Sequence, residues 1–271
     1  MVVQKKKRIT QALVLITAMA LMGCQPKQSA EQKAENQTKP TSTEAQQVQA
    51  QQNHWIEAKT VILKPTQSRV CDEEGCTDYA FQTVETNQTW INDYFRDRIK
   101  KADPVAFQAE TAASKALKEK TLREQDINQI STVIRYVGQN QQLATFEYMS
   151  FTYSASSAHG LYHKEYVNFD LNKKKRISLQ DLVVNGAEEK LKQALYDSNS
   201  MWLEDHSIES SKFQVSDNFY YGVNGIVFVY PLYELASYAE GMSELTLPYH
   251  STHALIKAEY LPNLPKYEAN E

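Results

Sequence analysis

Apolar residues enter this chain in two ways. Ile9 to Met22 is one short, mostly apolar run behind the basic cluster Lys5-Lys6-Lys7-Arg8, whereas beyond His54-Trp55 apolar positions alternate or recur at helical spacing. Val61-Ile62-Leu63 reads as a strand, and a second strand through Tyr79 and Phe81 follows a loop bounded by Cys71 and Cys76. Trp90, Ile91, Tyr94, Phe95 and Ile99 then fall at helical spacing, with Thr86 or Asn87 placed to cap the helix. Asp103-Pro104 ends that helix and starts another, which carries Phe107, Ala113, Ala116 and Leu117 to about Gln125. Val133, Ile134, Tyr136 and Val137 form a strand before a Gly138-Gln139-Asn140 turn, and Leu143 to Tyr153 supply its hairpin partner.

A Ser-rich loop from Ser154 to Gly160 leads into a strand over Tyr162 to Leu171, followed by the charged turn Asn172-Lys173-Lys174-Lys175-Arg176. A helix is predicted over about 187–204, with Leu191, Ala194, Leu195 and Trp202 on one face. Asn224-Gly225 before Ile226-Val227-Phe228-Val229-Tyr230 is a hairpin signal, and a strand from Glu244 to Tyr249 closes the pattern. Strands and helices in mixed order with hairpin connections predict an α+β fold with antiparallel sheets and packed helices.

Residues 25–53 are different in kind. They hold nine Gln, no aromatic residue, and Val48 as the one aliphatic larger than Ala. Such a segment cannot bury enough surface to offset its ordering entropy, so it is predicted to be a disordered tether with a reach of roughly 30 Å. The basic cluster and short apolar run before it read as an export signal, too short to span a membrane. Its ending, Leu21-Met22-Gly23-Cys24, resembles the bacterial lipobox, which implies cleavage before Cys24 and lipidation of its thiol; an ordinary secretory signal containing a Cys is the alternative. Two or three acyl chains, as in the lipoproteins this terminus resembles, hold a protein at a membrane almost permanently. Gln25 in place of Asp implies, by the same resemblance, the outer membrane of a Gram-negative envelope.

Composition narrows the partners. Residues 1–23 carry four positive charges and no negative ones, so their removal takes the formal charge from -4 to -8. That acidity gives no electrostatic footprint for nucleic acid and favours cationic partners. Sixteen Tyr against nine Phe suit half-buried sheets and recognition surfaces alike. In an oxidising compartment Cys71 and Cys76, separated by Asp72-Glu73-Glu74-Gly75, are expected to close a small disulfide loop that pins a hairpin. A metal site would need ligands beyond two thiols, and no nearby His or Cys supplies them.

From Ser154 to His253 the chain resembles the DUF3298 family. The residues that carry the likeness are Ala158-His159-Gly160, Asn168-Phe169-Asp170-Leu171, Ile177-Ser178-Leu179-x-Asp181-Leu182, Asn218-Phe219, Gly225-Ile226-Val227-Phe228, the run Tyr230 to Gly241, and Glu244-Leu245-Thr246-Leu247-Pro248-Tyr249. The region before it is similar to the DUF4163-like segment that often precedes this family. Together these readings divide the chain into a signal peptide (1–23), a lipidated Cys with its tether (24–53), a DUF4163-like α+β region (54–150) and a DUF3298-like domain (151–271). One family member forms the extracellular part of a lysozyme-sensing anti-sigma factor, and many are envelope lipoproteins. The resemblance implies a non-enzymatic ligand-binding domain whose partner is a lysozyme-like protein or peptidoglycan. Lacking a sigma-binding segment and a transmembrane helix, the chain is not expected to signal by the anti-sigma route. It also has Ser156-Ser157 where the family loop has two glycines.

Three constellations invite chemistry. His159 and His163, four apart with Glu165 close by, would make a metal pair on a helix, but on loop entering strand four positions span about 13 Å, so no metal and no cofactor is expected. Ser156, Ser157 and His159 suggest a nucleophile and base, yet no nucleophile elbow accompanies them. Glu234, among Tyr230, Tyr233 and Tyr238, is either a glycan-binding carboxylate or part of a structural network. The candidate ligand-binding residues are thus His159, Gly160, Tyr162, Tyr233, Glu234 and Tyr238. A peptidoglycan-acting enzyme and an envelope-assembly protein are the alternative readings.

Overall fold

The protein is described by a computed structural model over residues 55–118, 123 and 126–263. The expected signal peptide, Cys24 and the tether lie outside the described residues, as do most of 119–125 at the end of the second predicted helix. Among the described residues no helix is long and apolar enough to cross a membrane.

The N-terminal region forms a seven-stranded sheet. Its strands are β1 (Ala58–Ile62), β2 (Arg69–Cys71), β3 (Cys76–Thr86), β4 (Ile127–Asn140), β5 (Leu143–Tyr153), β6 (Leu161–Asp170) and β7 (Lys175–Arg176). They run in the order β1-β3-β4-β5-β6-β7, with β2 also paired to β3. Every pair is antiparallel except β3 with β4, which is parallel from Cys76↔Ile127 to Gln82↔Val133. That pair is joined through α1 (Thr89–Ala102), a 3-10 turn over Pro104–Phe107 and α2 (Ala112–Lys118). A parallel neighbour needs such a crossover, where an antiparallel one needs only a tight turn.

α1 lays Ile91, Phe95 and Ile99, all fully buried, against the sheet. Phe95 meets Phe146 of β5 at 5.2 Å and Phe169 of β6 at 5.8 Å, while Trp90 and Tyr94 stand edge-on to Phe169. Neither Thr86 nor Asn87 caps this helix, whose N-cap is Gln88 with no side-chain bond. The Asn92 amide reaches back instead, accepting from the Thr86 N–H and donating to the Thr86 carbonyl. The second predicted helix is likewise split, because the 3-10 turn and α2 are separate elements. β4 runs through the expected Gly138-Gln139-Asn140 turn, with a bulge between Tyr136 and Gly138. The reversal falls at Gln141-Gln142, where Gln141 takes the left-handed backbone (φ 52°) that tight hairpins require.

The C-terminal region is a smaller antiparallel sheet in the order β10-β9-β8, made of β8 (Phe219–Tyr221), β9 (Gly225–Tyr230) and β10 (Ser243–Pro248). It is covered by α3 (Leu179–Leu182), α4 (Glu188–Ser198) and α5 (Ser200–Asp205). The single helix expected over 187–204 is broken at Asn199, which serves the sheet. Its Nδ2 donates to the Leu195 and Thr246 carbonyls and its Oδ1 accepts from the Thr246 N–H, so the side chain closes the open edge of β10. At Gly225 the backbone approaches β10 so closely that a Cβ would sit 2.2 Å from the Leu247 carbonyl oxygen.

Two asparagines join the regions. The buried Asn168 of β6 accepts from the Thr145 hydroxyl and donates to the Phe219 carbonyl of β8. Asn218 accepts from the Tyr166 N–H at 2.7 Å and donates to the Lys164 carbonyl at 2.8 Å, taking the place of a strand beside β6. The boundary drawn between residues 150 and 151 falls inside β5.

Candidate functional site

The Cys71–Cys76 disulfide forms across β2 and β3, with both residues buried. Asp72 Oδ1 accepts from the N–H groups of Glu74 and Gly75, and Gly75 (φ 147°) completes the loop. This bond pins the hairpin between β2 and β3.

The Ser154–Gly160 loop and the turn between Tyr230 and Gly241 meet as an aromatic column. The His159 ring stacks on Tyr238 at 4.1 Å, and Tyr233 stacks on Tyr238 at 5.7 Å. The Gly160 carbonyl accepts from the Tyr238 hydroxyl at 2.9 Å and from His159 Nδ1 at 3.1 Å, which makes that nitrogen the protonated one. Glycine is required there because a Cβ would lie 2.3 Å from the Phe151 ring. The Tyr162 hydroxyl sits against Gly241, whose φ of 82° suits glycine. Tyr233 ends the column, 58% exposed and with a left-handed φ of 69°. An L-residue of this bulk in that conformation is strained, and such strain persists only where neighbours impose it.

A clamp holds the turn. Ser237 and Glu240 form a capping box, and Glu240 also accepts from His206 Nε2 at 2.7 Å. His206 Nδ1 lies 2.8 Å from the Trp202 carbonyl, with its ring stacked on Trp202. A carbonyl and a carboxylate both accept, so the two ring nitrogens can both donate only as imidazolium. The Glu240 hydrogen bond, then the Trp202 carbonyl, raise the His206 pKa above its ordinary value, and His206 lowers that of Glu240.

Glu234 does not share a network with the phenols. The Tyr230 hydroxyl donates to the Gln214 carbonyl and that of Tyr238 to Gly160. Glu234 instead lines a neighbouring cleft, together with Arg98, His163, Glu165, Arg176 and Asp217. Burial, then the Asp217 charge, push its carboxyl up. Burial also pushes Glu165 upward, but hydrogen bonds from Arg98 and the charges of Arg98, Arg176 and His163 outweigh it and leave the carboxyl below its ordinary value. Arg98 grips both Glu165 oxygens and lies over the Tyr148 ring at 4.3 Å. The sequence pattern did not single out Arg98, and marked Arg176 only as the end of a charged turn. Each reads alone as a surface charge, and Arg98 lies 67 residues from Glu165.

The Ser–His pair does not form, since the Ser157 hydroxyl donates to the Ser154 carbonyl and His159 turns to Gly160. Among the described residues no group of three or more His, Cys, Asp or Glu gathers around a common point.

Several motif residues now have structural roles. Asp170 accepts from the Asn172 and Lys173 N–H groups, shaping the charged turn. Ser178 and Asp181 form the capping box of α3, and Lys175, then Ser178, bring the Asp181 carboxyl down to about 2.

This arrangement, an α+β fold with an aromatic column beside a charged cleft, coincides with a family match. Residues 170–250 match the family described as "Protein of unknown function (DUF3298)". Two solved structures share the fold. A DUF3298 family protein from Pseudomonas aeruginosa PAO1 aligns at 20% identity over 78% of this chain and 96% of its own, with a TM-score of 0.53. A member of the family from Bacteroides fragilis aligns at 16% identity over 76% of this chain and 95% of its own, with a TM-score of 0.56. No curated protein sequence matches the chain.

Proposed function

We propose that the protein is a lipid-anchored envelope protein, held through Cys24, whose folded part binds a lysozyme-like muramidase without catalysing a reaction. One observation carries the reading: Tyr233 is held exposed, in strained backbone, at the end of the Tyr238–His159 column. Exposed, immobilised aromatics supply contact area at small entropic cost and concentrate binding energy. The acidic charge after residue 23 steers a cationic partner toward the surface. The resemblance of residues 54–150 to a DUF4163-like region, and of the folded part to the extracellular domain of a lysozyme-sensing anti-sigma factor, supports a lysozyme-like partner.

Calorimetric titration of the full chain carrying Cys24→Ser with hen lysozyme tests it. Saturable one-to-one binding is expected, weakened about tenfold or more by Tyr233→Ala. No heat, together with an unchanged lysozyme rate, removes the reading. The anchor is tested separately by palmitate labelling in a bacterial host, which Cys24→Ser should abolish.

A further inference from the structure

The cleft beside the aromatic column, about 530 Å³ in volume, has two walls of opposite character. α1, β6 and β7 present Arg98, His163 and Arg176, whereas the segments flanking β8 and β9 present Asp217 and Glu234. The first wall holds more positive charge than it neutralises, since the single Glu165 carboxylate serves two guanidiniums. Arg98 is committed to Glu165 through both terminal nitrogens, while Arg176 gives that carboxylate one hydrogen bond at 2.9 Å. A guanidinium has five N–H donors, and the Arg176 side chain is 41% exposed, so donors remain for a ligand.

The facing wall has the reverse excess. Among the described residues neither the Asp217 nor the Glu234 side chain makes a hydrogen bond or an ion pair. Two carboxylates near each other without a cation repel, and the Asp217 charge adds to burial, the larger cause, in pushing the Glu234 carboxyl up. The walls do not close this gap themselves, because no ion pair joins Arg176 or Arg98 to Glu234 or Asp217 across the cleft. What fits between them carries both charges on a short frame.

We propose that this cleft binds a short zwitterionic peptide, its ammonium held by Glu234 and Asp217 and its carboxylate received by Arg176 beside His163. This goes beyond the muramidase reading, because it is a separate site for a small ligand on the same face. A polar cleft of opposed fixed charges selects for charge placement rather than apolar bulk, so blocking either end of the ligand removes a partner and strands a charge.

The test titrates the full chain carrying Cys24→Ser with trialanine, N-acetyl-trialanine and trialanine amide, following amide chemical shifts by NMR. Trialanine should saturate at one to one, and each cap should weaken it about tenfold or more. Glu234→Gln should erase the discrimination against the N-acetyl peptide, and Arg176→Gln that against the amide. Arg176→Gln also loosens Glu165, so a melting curve accompanies it, while Glu234→Gln, which breaks no hydrogen bond, keeps the test decisive. Equal binding of capped and free peptides, or no saturation by trialanine at millimolar concentration, overturns the proposal. Trialanine binding without lysozyme binding would support this site while removing the muramidase reading, and the reverse would remove this site alone.

Discussion

The two regions of the molecule solve the same problem, closing a sheet, by different means. The N-terminal region is packed around α1, with Phe95, Phe146 and Phe169 all fully buried in mutual ring contact. The C-terminal core is richer in leucine, with Leu182, Leu195, Leu203 and Leu247 fully buried, and its edges are sealed by side-chain amides. Asn199 finishes β10, and Asn168 and Asn218 stitch β8 and its approach to β6. Packing tolerates substitution in proportion to volume, whereas an amide standing in for a strand has no near equivalent. Asp presents no N–H donor and Leu presents neither group.

The sharpest way to break the comparison is to empty the aromatic cluster. Phe169→Ala should cost about 3–5 kcal/mol by urea unfolding, since four ring partners lose their contact at once. A loss below 1 kcal/mol would mean that the N-terminal region is not held by this packing. Asn218→Leu should cost roughly 2–4 kcal/mol, because the Tyr166 N–H and Lys164 carbonyl lose their partner together. If it proved neutral, the amide-seal account of the C-terminal region would fail. Replacing Cys71 and Cys76 together by Ser should cost about 2 kcal/mol, the small value expected of so short a loop.

The clamp on the aromatic turn should respond to pH. The folded pKa of His206 is raised, so its contribution is complete below the ordinary 6.5 and fades as pH rises through the folded value. That of Glu240 is lowered, so its contribution is complete above 4.5 and fades as pH falls through its folded value. The melting-temperature gap between wild type and His206→Gln should therefore be widest between those values and shrink toward pH 9. A gap that does not change with pH would mean the imidazole is neutral in the fold. The smallest effect is expected at Ser156, where Ser→Gly should stabilise by up to about 1 kcal/mol by relieving a φ of 64°.

That last residue also shows what could be read from the sequence. The Ser156-Ser157 pair stood out against the family's glycines, and the loop keeps a left-handed residue there with a side chain that disfavours it. The α+β class, the Cys71–Cys76 hairpin, α1, β9 and β10 were legible because local alternation and spacing set them. The parallel β3–β4 pair was not, since nothing local to either strand records which neighbour it will find forty residues on. Nor was the break at Asn199, whose helical pattern is uninterrupted on both sides while its reason lies at Thr246. The candidate site divided the same way. His159, Gly160, Tyr162, Tyr233 and Tyr238 come together, but Glu234 faces a cleft whose other members are scattered from residue 98 to residue 231.

The amide seal at Asn218 sets an order of events for a chain emerging from its N-terminus. β1 to β6 can be laid down as soon as residue 170 is available, yet the outer edge of β6 at Lys164 and Tyr166 waits for a residue some fifty positions later. During that interval the growing sheet exposes bare backbone donors and acceptors, the surface through which nascent chains pair with one another. Slow delivery of the last third should therefore favour tangled, edge-joined chains over single molecules. The same amide that finishes the native fold acts in time as a stopper against aggregation.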